Sequence, residues 1–178
     1  MNVEFENMLK RKTGDKSMKW LRFVLPILIL FTLVSCGSDK EGYRKAEDFT
    51  LSNGYGESFT LSEQKGKMVI INFWATWCPP CQREIPDFIE LQDKYGKKGL
   101  VVLGVSVDQA GWDVVDQYIQ NMKIQYPVVM YTPEVIKAYD NFQSIPTTFI
   151  VDKKGRIVNK VTGYRPKTFW EEEIKKYL

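Results

Sequence analysis

Met68-Val69-Ile70-Ile71-Asn72-Phe73-Trp74-Ala75-Thr76-Trp77-Cys78-Pro79-Pro80-Cys81-Gln82-Arg83-Glu84 is the stretch from which the rest of this chain can be read. Met68 to Trp74 form an apolar run rich in branched side chains, the pattern of a central strand covered on both faces. Pro79 and Pro80 can open a helix, because the first helical turn needs no N–H partners. Ile85, Phe88, Ile89 and Leu91 then recur at helical spacing up to Tyr95, with a kink expected at Pro86. Cys78 and Cys81 therefore stand where a strand hands over to a helix. There they can close a disulfide, and the unpaired N–H groups and dipole of the helix favour the thiolate of Cys78.

Composition narrows the alternatives for this pair. The chain has 178 residues, three cysteines and no histidine. Ser-His-Asp triads, Cys-His proteases and His-ligated haem are excluded. Half of a zinc site would need two further ligands from a chain with one other Cys, and Gln82 stands where a haem-attachment motif requires histidine. A pair of structural thiols stays open beside the redox reading.

Outward from this stretch, the pattern predicts an α/β domain. Phe49–Leu51 and Glu57–Leu61 read as a short hairpin, Leu100–Val107 as a second buried strand and Trp112–Met122 as a helix. Tyr126–Met130 reads as a third strand and Pro133–Phe142 as another helix. Thr147–Val151 and Arg156–Val161 flank a turn with Gly155 where a positive φ is wanted, and Pro166–Tyr177 closes the chain as an amphipathic helix. The expected architecture is a mixed central sheet flanked by helices on both faces.

The N-terminal part has a different character. From Met18 a charged start leads into the apolar run Phe23–Val34 and then Ser35-Cys36, the layout of a secretory signal and too short to span a bilayer comfortably. Residues 1–35 hold six Lys/Arg against three acids; taking these from the totals of 25 and 22 leaves 19 of each in residues 36–178. With no net charge there, binding to nucleic acid is not expected. The expected organisation is a leader over 1–35, with its start at Met1 or Met18, then Cys36 and a polar tether over 36–46, and one domain over 47–178.

Leu33-Val34-Ser35-Cys36 resembles the lipobox of bacterial lipoproteins, which implies cleavage before Cys36 and lipidation of its side chain. Asn72 to Cys81 resembles the active-site segment of the thioredoxin superfamily, Ser144-Ile145-Pro146-Thr147 its cis-proline loop, and Thr162-Gly163 the glycine beside that loop. Within the superfamily the chain is most similar to the TlpA/ResA-like extracytoplasmic thiol-disulfide oxidoreductases, in its N-terminal β-hairpin, its central insertion of about 25 residues and Glu84 three residues after Cys81.

The resemblance implies a thioredoxin-like fold and a membrane-anchored enzyme on the outer side of the membrane, without a cofactor beyond the Cys78–Cys81 disulfide. Cys78 would attack and Cys81 resolve. Glu84, one helical turn from Cys81, would take its proton, where cytoplasmic thioredoxins use an aspartate at the position of Asn72. A solvated Glu84 paired with Arg83 or Lys65 is the plainer alternative. Trp77, Pro79, Pro80, Ile145 and Pro146 would meet the substrate chain, while Trp74 reads as core and Asp108 as either an active-site carboxylate or the cap of the next helix.

Implied partners are protein thiols and disulfides, among them apocytochrome c, and a membrane thiol reductant; the protein is expected to be a monomer. Two prolines after Cys78 withdraw backbone donors from its thiolate, which argues for a reductant. A peroxiredoxin would carry Pro-x-x-x-Thr-x-x-Cys, but Ile71 and Ala75 occupy the first two places. A non-enzymatic binding lipoprotein with a static disulfide is the remaining alternative.

Overall fold

The computed structural model describes residues 42–178; the expected leader, Cys36 and residues 37–41 of the tether lie outside the described residues. A six-stranded mixed sheet organises the domain. Its strands are β1 (Arg44–Lys45), β4 (Met68–Trp74), β5 (Leu100–Ser106), β6 (Val128–Met130), β7 (Thr147–Val151) and β8 (Arg156–Thr162), in the order β1-β8-β7-β4-β5-β6. The strands β2 (Thr50–Ser52) and β3 (Ser58–Thr60) form the separate hairpin. β4 runs parallel to β5 and antiparallel to β7, and β5 runs parallel to β6.

The period of two along β4 explains why its apolar run is continuous. Met68, Ile70 and Trp74 enter one core, under α1 (Pro79–Tyr95), α2 (Trp112–Met122) and α4 (Lys167–Tyr177). Val69, Ile71 and Phe73 enter the other, under the hairpin and α3 (Pro133–Ala138). Every residue of β4 is buried. Trp74 is fully enclosed, as expected for a core residue, and each such large apolar side chain contributes about 2–3 kcal/mol of burial.

Several boundaries differ from the sequence expectation. The tether was expected to run to Ala46, but Arg44 and Lys45 pair with Ile157 and Arg156 as an edge strand, and Ala46 is buried. A strand of two exposed residues leaves no apolar pattern to read. α3 ends at Ala138 rather than Phe142, since Asp140 and Asn141 take positive φ and the buried Tyr139 gives its hydroxyl to Glu47 C=O. β6 begins at Val128 instead of Tyr126, because Pro127 has no N–H for a ladder. α1 continues through Pro86 to Tyr95 as one helix.

Candidate active site

β4 ends at Trp74, and Ala75 to Trp77 form the turn that delivers Cys78 to the N-terminus of α1. Cys78 is the N-cap, with extended φ and ψ of −96° and 101°, and Cys81 N–H donates to its Sγ at 3.3 Å. The two cysteines are joined, with their Cα atoms 5.2 Å apart. Pro79 and Pro80 have no N–H to give, so Cys81 supplies the backbone donor to this sulfur.

The attacking role expected of Cys78 calls for an accessible sulfur. Instead both are buried, at 3% and 1% exposure. The N-cap geometry explains the difference, because it turns Cys78 back over the first helical turn and into the apolar cluster that also takes Cys81. Trp77, just before the pair, is exposed at 64%.

Glu84 lies one turn farther along α1, on its buried face, at 1% exposure. Oε1 accepts from Arg165 N–H at 2.8 Å, while Oε2 is buried without a hydrogen-bond partner. Burial pushes its carboxyl up to about 7, with Asp87 acting in the same direction and the Arg165 amide opposing. The solvated alternative is therefore wrong: Arg83 lies over the Tyr164 ring at 5.2 Å, and the contact to Glu84 comes from a loop 81 residues away. Asn72 sits on β4 with its Nδ2 on Thr148 Oγ1 at 2.9 Å.

Asp108 lies at the active-site end of the sheet, the first of the two places that its sequence position allowed. It does not cap α2, whose N-cap is Gly111. Its buried carboxylate accepts from Thr76 N–H at 2.9 Å, Thr76 Oγ1 at 2.6 Å and Ser106 Oγ at 2.7 Å. Gln82 Nε2 in turn donates to Thr76 C=O at 2.6 Å. The turn before Trp77 and Cys78 is thus held from β5 on one side and from α1 on the other. The signal available in the sequence was the position of Asp108 just past a buried strand.

The proline loop reaches the same end of the sheet through the pairing of Phe73 with Thr147, which sets Pro146 beside the end of β4. The Ile145–Pro146 peptide is cis, Gly163 N–H donates to Pro146 C=O at 2.8 Å, and Thr147 Oγ1 donates to Ser144 C=O at 2.7 Å. Ile145 is half-buried against the cluster that holds both cysteines, and Pro146 is buried. Pro79 is exposed and Pro80 half-buried. The expected substrate residues therefore collect at one end of the sheet.

A cysteine pair at a helix N-terminus, beside a cis-proline loop on a mixed sheet with helices on both faces, defines a thioredoxin-fold thiol-disulfide oxidoreductase. The family model described as AhpC/TSA family matches residues 43–160, and the chain belongs to that family. It is 31% identical over 175 residues to the thiol-disulfide oxidoreductase ResA of Bacillus thuringiensis subsp. konkukian, covering 89% of this chain and 98% of the relative. A thioredoxin family thiol:disulfide interchange protein from Chlorobium tepidum superimposes with a TM-score of 0.71 at 33% identity, over 76% of this chain and 96% of that one. The pneumococcal exposed lipoprotein thioredoxin from Streptococcus pneumoniae gives a TM-score of 0.64 at 27% identity, over 73% of this chain and 99% of that one. Like these relatives, the chain is a thiol-disulfide oxidoreductase with a thioredoxin-like fold.

Proposed function

We propose that this enzyme is an extracytoplasmic, membrane-anchored reductant of protein disulfides, and that Cys78, Cys81 and Glu84 carry the reaction. The Cys78 thiolate attacks a substrate disulfide; one substrate sulfur leaves as thiolate, and the other stays in a mixed disulfide with Cys78. Cys81 then gives its proton to the Glu84 carboxylate and attacks Cys78 Sγ, releasing the second substrate thiolate. Two electrons pass to the substrate, and the enzyme is left with the Cys78–Cys81 disulfide.

The observation that carries this reading is Glu84 itself, a buried carboxyl held near 7 by burial and left with one oxygen unpartnered. Such a group can both accept and return a proton near neutral pH. No metal or organic cofactor enters the scheme. Trp77, Pro79, Pro80, Ile145 and Pro146 would receive the substrate chain, which the resemblance to ResA extends to apocytochrome c in cytochrome c maturation.

Anchoring would come from lipid on Cys36, a reading supported by the lipobox-like Leu33-Val34-Ser35-Cys36 and by the likeness to a pneumococcal protein described as an exposed lipoprotein. Among the described residues, no helix is long and apolar enough to cross a membrane. Electrons would return from a membrane thiol reductant to a monomeric enzyme.

The deciding measurement is the equilibrium potential of the Cys78/Cys81 pair against dithiothreitol and glutathione. A value at or below roughly −250 mV, near thioredoxin, is expected for a thiolate with a single backbone donor; one near −120 mV would make the enzyme an oxidant.

A further inference from the structure

The end of the sheet opposite the redox pair is built from turns that carry lysine. β4 enters there at Met68 and reaches the cysteine end at Trp74, about 20 Å away. Backbone bonds from Ala46 to Gly155, from Gly66 to Lys153 and from Met68 to Gly99 draw these turns together, and Lys153 Nζ adds the C-terminal Leu178. The surface they form exposes Lys65, Lys67, Lys97, Lys98, Lys153 and Lys154, with Lys45 at its edge. Lys45, Lys65, Lys67 and Lys154 share a cleft of about 150 Å³ with apolar walls from Leu61 and Val151.

Acids at this end include Glu47, Asp48, Glu63, Asp93 and Asp152, still fewer than the lysines, and Asp152 is engaged by Arg156 at 2.7 Å. Because residues 36–178 balance at 19 charges of each sign, the lysine face is a separation of charge that the net value conceals. Lys97 and Lys98 follow α1 and complement its dipole, but that does not account for the lysines on the other turns.

The chain enters the fold at this same end. Tyr43 lies against the Arg156 guanidinium at 5.3 Å, and Lys45 pairs with Arg156 at the sheet edge. Cys36 and the apolar run before it therefore connect beside the lysines through Gly37 to Tyr43, a span of at most roughly 25 Å.

We propose that the lysine face rests on the anionic headgroups of the membrane to which the chain is tethered, so that Trp77 and Cys78 face away from the bilayer. The inference rests on the anchoring reading above. A short tether keeps the face near the surface, and within about one Debye length of it each lysine strengthens attraction to anionic lipid several-fold. The redox end is then left free for a substrate that arrives from the aqueous side.

The test uses the full chain with vesicles of phosphatidylcholine alone or mixed with phosphatidylglycerol, read by flotation and by acetylation of individual lysines. Flotation on both lipids, with Lys65, Lys67, Lys153 and Lys154 acetylated at least about threefold more slowly on the anionic vesicles and Lys160 and Lys167 unchanged, supports the proposal. The protection should vanish in 0.5 M salt, a concentration of roughly the order that screens such attraction. Salt-sensitive flotation on anionic vesicles alone also supports the face while removing the anchor, and Lys65→Glu with Lys67→Glu should then weaken it about tenfold. Flotation with uniform acetylation, or no flotation on either lipid, overturns the proposal. Protection seen only with native membranes and not with pure lipid assigns the face to an acidic protein and overturns it as well.

Discussion

Glu84 and Asp152 are both buried carboxylates, one near each end of the central sheet, and their acidities move in opposite directions. Burial raises both. At Asp152 the Arg156 side chain, the Arg156 amide and the Lys154 amide outweigh it and hold the carboxyl below its ordinary range. At Glu84 the Arg165 amide, with smaller help from the Arg165 charge and the Asn72 side chain, opposes burial and loses. The difference lies in how many donors the fold supplies. A fully bonded carboxylate closes a turn, whereas an under-bonded one is left able to exchange a proton.

Replacing Cys81 with Ser should have the largest effect on the redox end. Turnover should be lost, and a mixed disulfide between Cys78 and substrate should accumulate, visible on a non-reducing gel. Free turnover by this variant would remove Cys81 from the resolving role.

Glu84→Gln tests the under-bonded carboxylate directly. Resolution of the mixed disulfide should slow by about 10²-fold, and the step in the pH–rate profile near 7 should disappear. The stability effect has the opposite sign. Because the folded state holds the proton more tightly than the unfolded chain, Glu84 favours folding below about 4.5, and that contribution is lost as pH rises through about 7. The variant should therefore be more stable than the parent at pH 8, by up to roughly 3 kcal/mol in urea melts. A parallel pH dependence of stability in parent and variant would mean that Glu84 does not titrate in this window.

Asp152→Ala should behave in the reverse manner, costing about 2 kcal/mol at pH 7 with redox activity intact. Its lowered pKa places the stabilisation above the unfolded value of 3.8, and the stabilisation should fade as pH falls below it. A loss that persists undiminished at pH 2 would point to packing instead of charge.

Asp108 is the intermediate case, at the redox end yet bonded as fully as Asp152. Asp108→Ala should cost about 1–2 kcal/mol and loosen the Thr76 turn, lowering the rate of attack by Cys78 while leaving the resolving step unchanged. Stopped-flow measurement of the two steps separates them; equal slowing of both would show that Asp108 supports the domain as a whole.

Local pattern carried a large part of this protein. The buried run of β4, the two prolines that open α1 and the spacing of Cys78 and Cys81 each follow from a rule that acts over a few residues. For that reason the helix starts at Pro79 and ends at Tyr95 in sequence and structure alike. The proline loop and Glu84 were legible through resemblance, not through periodicity.

What only the folded chain decided are the features that depend on contacts between distant segments. β1 exists because β8 offers an edge, and the enclosure of both cysteines follows from the turn of Cys78 as an N-cap into the core. The proton affinity of Glu84 depends on a donor 81 residues away, and the hold of Asp108 on Thr76 bridges 32 residues. Likewise the lysine face joins four parts of the chain, and its charge is hidden in any sum over residues 36–178. Residue type sets which groups can bond or titrate; burial and donor count, which tertiary packing alone assigns, set which of them do.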